Sequence, residues 1–259
     1  MAFERDNSPL VTQALDMAHA LARKMGGKEY LTAKAKMVAD NLMSRDTIPP
    51  HVTVRENGAL QTYRIARIYP RPTHRRAVDK AVLKRMYPSA YQAAVTVSAP
   101  DRPYQLRLDP EFPGKKSQEW STERSLGADN WAAVLEQRYG ALEWNRLDTQ
   151  TRVLYELRRD ARAQDARIEA ARAELILFVT DNQLPLVVRG LGDGRLVLRE
   201  NPPLVRVDYD VLETQFPAAA SLIKRFTTPG TPQIRFLKPK SEDDEEDDSD
   251  DSASGIWKA

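Results

Sequence analysis

The chain has 259 residues, 41% of them apolar and 29% charged, which is enough for a sizeable core in an ordinary globular protein. It contains no cysteine, which excludes disulfides, thiolate nucleophiles and cysteine-held metals and suits a reducing, cytoplasmic setting. The net charge of +2 balances two unlike parts. Glu242–Asp251 holds nine carboxylates, while residues 1–240 hold 38 basic against 28 acidic side chains, a net +10. A basic body suits a polyanion, and an acidic tail would compete for the same surface; a tail that only confers solubility is the other reading. The first residues (MAFERDNSPL) lack the apolar run of a secretory leader, and no stretch reaches the roughly 18 apolar residues of a membrane helix, so an intracellular protein without a membrane partner is expected.

Ser8-Pro9 opens a helix with Leu10, Ala14, Met17 and Leu21 at helical spacing. Gly26-Gly27 is expected to end or bend it before a second helical stretch, Lys28–Arg45. Residues 51–70 alternate apolar and polar around Glu56-Asn57-Gly58, a strong hairpin signal. A short helix follows from Val78 to about Met86, then a strand-like AAVTVSA, the turn Pro100–Pro103 and extended YQLRLDP. Glu111–Asn130 reads as an irregular connector and Trp131–Leu147 as a helix, with Trp120, Trp131 and Trp144 packing the joint between halves. From Thr151 to about Asp181 a long helix carries Leu154, Leu157, Ala161, Ile168, Ala171, Leu175 and Phe178 in heptad steps, broken by Gln164. That interrupted seam would face either the N-terminal helices or a second copy of the chain. A second hairpin turns at Gly192-Asp193-Gly194, and the tail from Ser241 is expected to be disordered.

Val78–Pro110 is written again as Val207–Pro239, with ten identities over 33 ungapped positions, among them Asp79/Asp208, Leu83/Leu212, Pro88/Pro217 and Pro110/Pro239. The expectation is an α+β fold built on an internally duplicated module of helical arm, β-hairpin, short helix and strand. Its divisions would be a basic first unit (1–110), a connector with a helix (111–150), a second unit with the long helix (151–240) and the acidic tail (241–259).

Chemistry is hard to find in this chain. His19, His51 and His74 are far apart, no His-x-x-His or glycine-rich phosphate loop occurs, and Asp79 and Asp208 each precede a short helix as caps would. No catalytic residue, metal ligand or cofactor is assigned, and a non-enzymatic protein is expected.

The two similar stretches differ most in charge. The approach to the first carries Arg64, Arg67, Arg71, Arg75, Arg76, Lys80, Lys84 and Arg85 against the single acid Asp79. Tyr69 and His74 are interleaved, and Tyr63 and Tyr87 flank the run. The second balances three arginines with Glu200, Asp208, Asp210 and Glu213. Arginine and lysine among aromatics suit a phosphate backbone with bases stacked on rings, as in single-strand binders. The eight cations would hold phosphates, and Tyr63 and Tyr69 would stack bases. An acidic protein docking on the same face is the alternative.

"GDGRLVLR", "RVDYDVLETQFP" and "QIRFLK" after a long helical arm resemble the segment that trails the nuclease core in YqaJ-type (Cas4-like) phage exonucleases, over about a fifth of the chain. The Glu-x-Lys of that core is missing, so the resemblance implies a context, phage DNA replication or recombination, and no nuclease activity. The acidic run closing near Trp257 is similar to the tails of single-stranded DNA-binding proteins, which implies docking of a replication or recombination partner and mimicry of nucleic acid. Here Lys258-Ala259 follow the tryptophan and a Ser-Ala-Ser-Gly spacer precedes it, unlike those tails. The expected function is therefore a phage DNA-binding accessory protein favouring single strands; an interaction module that grips a DNA-processing enzyme, or a structural virion component, is the alternative.

Overall fold

A computed structural model describes residues 8–190 and 192–238. The fold is mixed, 51% helical and 24% strand, so long helices form the frame and small sheets lean on it. The predicted disorder of the acidic tail and the Pro110/Pro239 match lie outside the described residues.

Helix α1 spans Pro9–Met43, with the Ser8 hydroxyl accepting from the Val11 amide at its start. It runs unbroken through Gly26-Gly27, against the expected stop. These glycines make room for a neighbour. A Cβ on Gly26 would strike the Arg124 backbone, one on Gly127 the Arg23 backbone, and one on Gly27 the Trp131 ring. The neighbour is α4 (Gln118–Tyr139), which crosses α1 there. Most of α4 occupies what reads in sequence as a connector. Ser117 caps its start by accepting from the Trp120 amide at 3.2 Å, and a distant residue adds to the cap: the Asp193 carboxylate accepts from Ser117 Oγ (2.9 Å) and from the Gln118 and Glu119 amides (2.8 and 3.0 Å). The same hydrogen bonds hold the Asp193 carboxyl below its ordinary range, the Glu119 amide contributing most.

Helix α5 (Leu147–Asp181) is as long as α1 and lies along it. Leu154 and Leu157 share a core with Leu31, Ala35, Val38 and Leu42. Ile168 and Leu175 share another with Ala14, Ala18, Leu21 and Ala22. Gln164 is buried between these two groups. Of the two partners left open for this seam, the N-terminal helix and a second copy, α1 of the same chain covers it. Trp120 is buried and donates to the Asp109 carbonyl at 3.1 Å, whereas Trp144 is 42% exposed and meets Tyr139 edge-on.

The strands are β1 (His51–Glu56), β2 (Ala59–Ile68), β3 (Thr73–Ala77), β4 (Val95–Ser98), β5 (Tyr104–Pro110), β6 (Val187–Arg189), β7 (Gly194–Glu200), β8 (Leu204–Val207), β9 (Lys224–Thr228) and β10 (Gln233–Leu237). Short helices α2 (Lys80–Met86) and α3 (Pro88–Ala94) lie between β3 and β4, and α6 (Tyr209–Gln215) and α7 (Pro217–Ala220) between β8 and β9. The two similar stretches therefore run through the same succession of elements. Asp79 caps α2 by accepting from Ala81 and Val82 (2.9 and 3.1 Å), and Asp208 caps α6 by accepting from Asp210 and Val211 (3.0 and 3.1 Å). Tyr87 and Phe216, before the shared prolines, sit at φ −137°, ψ 66° and φ −131°, ψ 63°. Leu83 and Leu212 are fully buried in one small core with Ala90 and Ala219.

The halves are interlocked and not laid side by side. β10, from the end of the chain, completes the first hairpin as β1-β2-β10; β5, from the first half, completes the second as β5-β7-β6. Between these sheets lie two antiparallel ribbons, β3–β9 and β4–β8, each pairing a strand from either half. Boundaries at 110 and 151 therefore do not separate self-contained units.

Candidate nucleic-acid interface

The ten residues expected to contact nucleic acid divide by the face on which strand alternation puts them. On β2, Tyr63 and Ile65 face inward with Val52 and Val54 of β1, and all four are buried. Tyr63 donates to Glu56 Oε2 at 2.6 Å and packs 4.8 Å from the Tyr155 ring, whose hydroxyl binds the other Glu56 oxygen. Those two donors, Tyr155 first, hold the Glu56 carboxyl below its usual range, and the carboxylate raises Tyr63. Tyr63 cannot stack a base: it is a core residue. Tyr63→Phe leaves a carboxylate short of one donor, so about 1 kcal/mol of stability should be lost in urea unfolding with oligonucleotide affinity unchanged. A several-fold fall in affinity at unchanged stability would return it to the interface.

Arg67 also faces inward. Its guanidinium donates to the carbonyls of Leu42, Arg45 and Asp46, closing the C-terminal end of α1, where unpaired carbonyls and the helix dipole favour a cation. Arg76 binds Asp210 at 2.8 Å and Glu213 at 3.3 Å and lies 5.1 Å from the Tyr209 ring. Lys80 donates to the Val205 carbonyl at 2.7 Å, and Lys84 sits 5.7 Å from the centre of the Tyr91 ring. Each of these four cations has a partner within the fold. Arg76 and Lys80 hold the first stretch to the second, so part of the charge asymmetry read from the sequence is a scaffold need.

Five of the ten remain. Arg64 is exposed on β2 opposite His51 and Leu237, and Arg85 is exposed on α2. Tyr69 (67% exposed) and Arg71 lie in the connector between β2 and β3, and Arg75 lies on β3. None of these four cations has an acidic partner among the described residues.

The ribbon β3–β9 adds two residues that the sequence reading missed. Opposed residues of an antiparallel pair share a face. His74, Arg76, Arg225 and Thr227 occupy one face, where Glu213 holds Arg225 at 2.9 Å as well as Arg76, and His74 Nδ1 lies 3.0 Å from the Thr227 hydroxyl. The other face carries Arg75 opposite Phe226 and Ala77 opposite Lys224, flanked by Thr73 and Thr228, with no carboxylate. Every residue of both strands is exposed, Phe226 to 51%. Among the described residues this face offers two cations without an ion pair and a bare ring. The corresponding ribbon β4–β8 sets Val95 against Val207 and Val97 against Val205, with valines at the positions that match Lys224 and Phe226 and Leu204 at the one that matches Arg75. No local signal marks Lys224 and Phe226, because the strand that aligns them lies about 150 residues earlier.

Among the described residues no cluster of three histidine or acidic side chains could hold a metal, and no helix is long and apolar enough to cross a membrane. A cleft of about 500 Å³ lies between the start of β1 and the α4–α5 turn, lined by His51, Leu142, Arg146, Asp148 and Arg152. Arg146 there is held by Asp148 at 3.0 Å. No family model, curated protein or solved structure matches the chain.

Proposed function

We propose that the chain is a non-enzymatic nucleic-acid-binding protein that grips single strands on the outer face of the β3–β9 ribbon. On this reading a duplicated module supplies two ribbons, and only one has been given the chemistry of a phosphate-and-base surface. The observation that carries it is the unpaired set Arg71, Arg75 and Lys224 beside the exposed rings of Phe226 and Tyr69. Cations without carboxylate partners gain most from phosphates, and exposed rings on a strand offer a stacking platform that is indifferent to sequence. Duplex DNA hides its base faces and would leave Phe226 and Tyr69 unused, which favours single strands. The acidic run Glu242–Asp251 would compete with nucleic acid for these cations. A role in phage DNA replication or recombination rests on the resemblances of the second half and the tail.

The test is binding of labelled single- and double-stranded oligonucleotides across a salt series, with the whole chain and with a chain ending before Ser241. Single strands should bind more tightly than duplex, with log K falling against log salt at a slope near −2, about −0.7 for each of three phosphate contacts. The shortened chain should bind several-fold more tightly. Absence of binding at low salt without the tail would end this reading.

A further inference from the structure

The sheet β1-β2-β10 carries a second cationic surface. Strand alternation turns Val52, Val54, Tyr63, Ile65 and Ile234 into the core. Glu56, the one acid of these strands, goes with them and is held by Tyr63 and Tyr155. The alternate positions point outward, among them Arg55 on β1, Arg64 on β2 and Arg235 on β10. All three are exposed, and none has an acidic partner among the described residues. The Gln233 amide oxygen accepts from Arg235 at 3.0 Å, which leaves the charge unmatched. The corresponding sheet β5-β7-β6 differs: its arginines Arg107 and Arg199 lie 3.3 and 3.5 Å from Asp109, and Arg189 lies 3.6 Å from Glu111. Sheet arginines in this fold are therefore not bare by default. No Tyr, Phe or Trp points out of the arginine face, so bases would find nothing to stack on. It suits a polyanion without rings.

This surface is separate from the one on the ribbon. Ile68 pairs with Gln233 and Thr73 with Thr228, so connectors of equal length leave β2–β10 and β3–β9 in a single register. Arg75, Phe226 and Lys224 then fall on the side that Tyr63, Ile65 and Ile234 take in the sheet, opposite to Arg64 and Arg235. A polyanion without rings begins close to the sheet. β10 ends at Leu237, opposite Arg64, and its direction carries the chain toward the end where Arg55 stands opposite Leu60. Glu242, the first of the nine carboxylates, is five residues beyond Leu237. Five residues reach about 17 Å, and ten more add about 33 Å. Strand spacings put Arg55, the farthest of the three, roughly 16 Å from Leu237, whereas Lys224 lies about 40 Å back along the ladder. A tethered group fills the nearer of two like sites first, because its effective concentration falls with the span.

We propose that the outer face of β1-β2-β10 is the docking surface of the chain's own acidic segment, Glu242–Asp251, whose carboxylates sit against Arg55, Arg64 and Arg235. The inference does not rest on nucleic-acid binding. Exposed ion pairs are individually weak and screened by salt. The tether offsets this, since it holds the segment at an effective concentration on the order of millimolar. Acids held here are drawn off the ribbon, so the sheet sets how strongly the segment competes for Arg71, Arg75 and Lys224.

The experiment uses the whole chain in three forms: native, Arg55→Ala/Arg64→Ala/Arg235→Ala, and Arg55→Lys/Arg64→Lys/Arg235→Lys. Carbodiimide joins carboxylates to amines in direct contact and leaves guanidinium groups alone. In the lysine variant at about 50 mM salt it should couple carboxylates of Glu242–Asp251 to the three introduced lysines within monomers, and this should vanish at about 0.5 M salt. A glutamate-specific protease should cut the segment several-fold faster in the alanine variant than in the native chain, with the lysine variant close to native. At about 0.5 M salt the three should be cut at one rate. Cross-links to Lys224 and none to the introduced lysines would place the segment on the ribbon and overturn the proposal. Cross-links found only in dimers would make the occupant a second copy's segment, and equal cutting rates at low salt would leave the face unoccupied; either result also overturns it.

Discussion

Gly26→Ala and Gly127→Ala should each destabilise the protein by about 3 kcal/mol or more, although alanine is the better helix former by about 1 kcal/mol in an isolated helix. The sign is reversed by the crossing of α1 and α4. A methyl on either glycine would meet backbone of the opposite helix, far inside the roughly 3 Å that real Cβ atoms keep. Backbone cannot rotate away, so the helices must part. Parting them loosens the packing of Ala18, Leu21 and Ala22 against Trp120, Ile168 and Leu175. For a chain of this size such a loss should lower the melting temperature by roughly 6–12 °C. Gly27→Ala should cost less, because its new methyl meets only the Trp131 side chain, which can shift. Equal and small effects at all three positions in urea or thermal unfolding would mean that the helices do not cross there.

Charge reversal at Arg71, Arg75 and Lys224 together is the second large effect. It should reduce single-strand affinity at about 50 mM salt by about a hundredfold or more while leaving the melting curve in place. All three side chains are exposed and carry no ion pair among the described residues, so their loss takes nothing from the fold. Arg76→Glu should do the reverse. It sets a carboxylate against Asp210 and Glu213, loosening the joint between the two stretches, with a smaller direct effect on ligand. Phe226→Ala, which removes the exposed ring beside Arg75, should cost about 1–3 kcal/mol of binding. A hundredfold loss from Arg76→Glu with none from the triple reversal would place the ligand on the α6 side of the ribbon.

What could be read in the sequence was local. The Asp79 and Asp208 caps, the aromatic-proline stops at Tyr87 and Phe216 and the Asn57-Gly58 turn are each decided by residues within a few positions, and the structure has all of them. Gly26-Gly27 was misleading because a glycine that stops a helix and one that admits a neighbour look the same in one chain. The start of α4 was legible only in part: Ser117 caps it locally by accepting from the Trp120 amide, but the Gln118 and Glu119 amides are satisfied by Asp193, about 75 residues away along the chain. The same distance problem split the basic cluster. Nothing near Arg67 says that its guanidinium closes α1, and nothing near Arg76 points to Asp210, 134 residues on. Tyr63 was recoverable: on a strand of period two, Tyr63 and Ile65 share a face, and that face should be the core. Lys224 and Phe226 became visible only when β9 was laid against β3.

The most direct test of the central claim is the salt dependence of single-strand binding by the native chain and by the Arg71/Arg75/Lys224 charge-reversal variant. The account predicts a native slope of log K against log salt near −2, falling to near zero in the variant as all three phosphate contacts are lost. Equal slopes for the two proteins would contradict it.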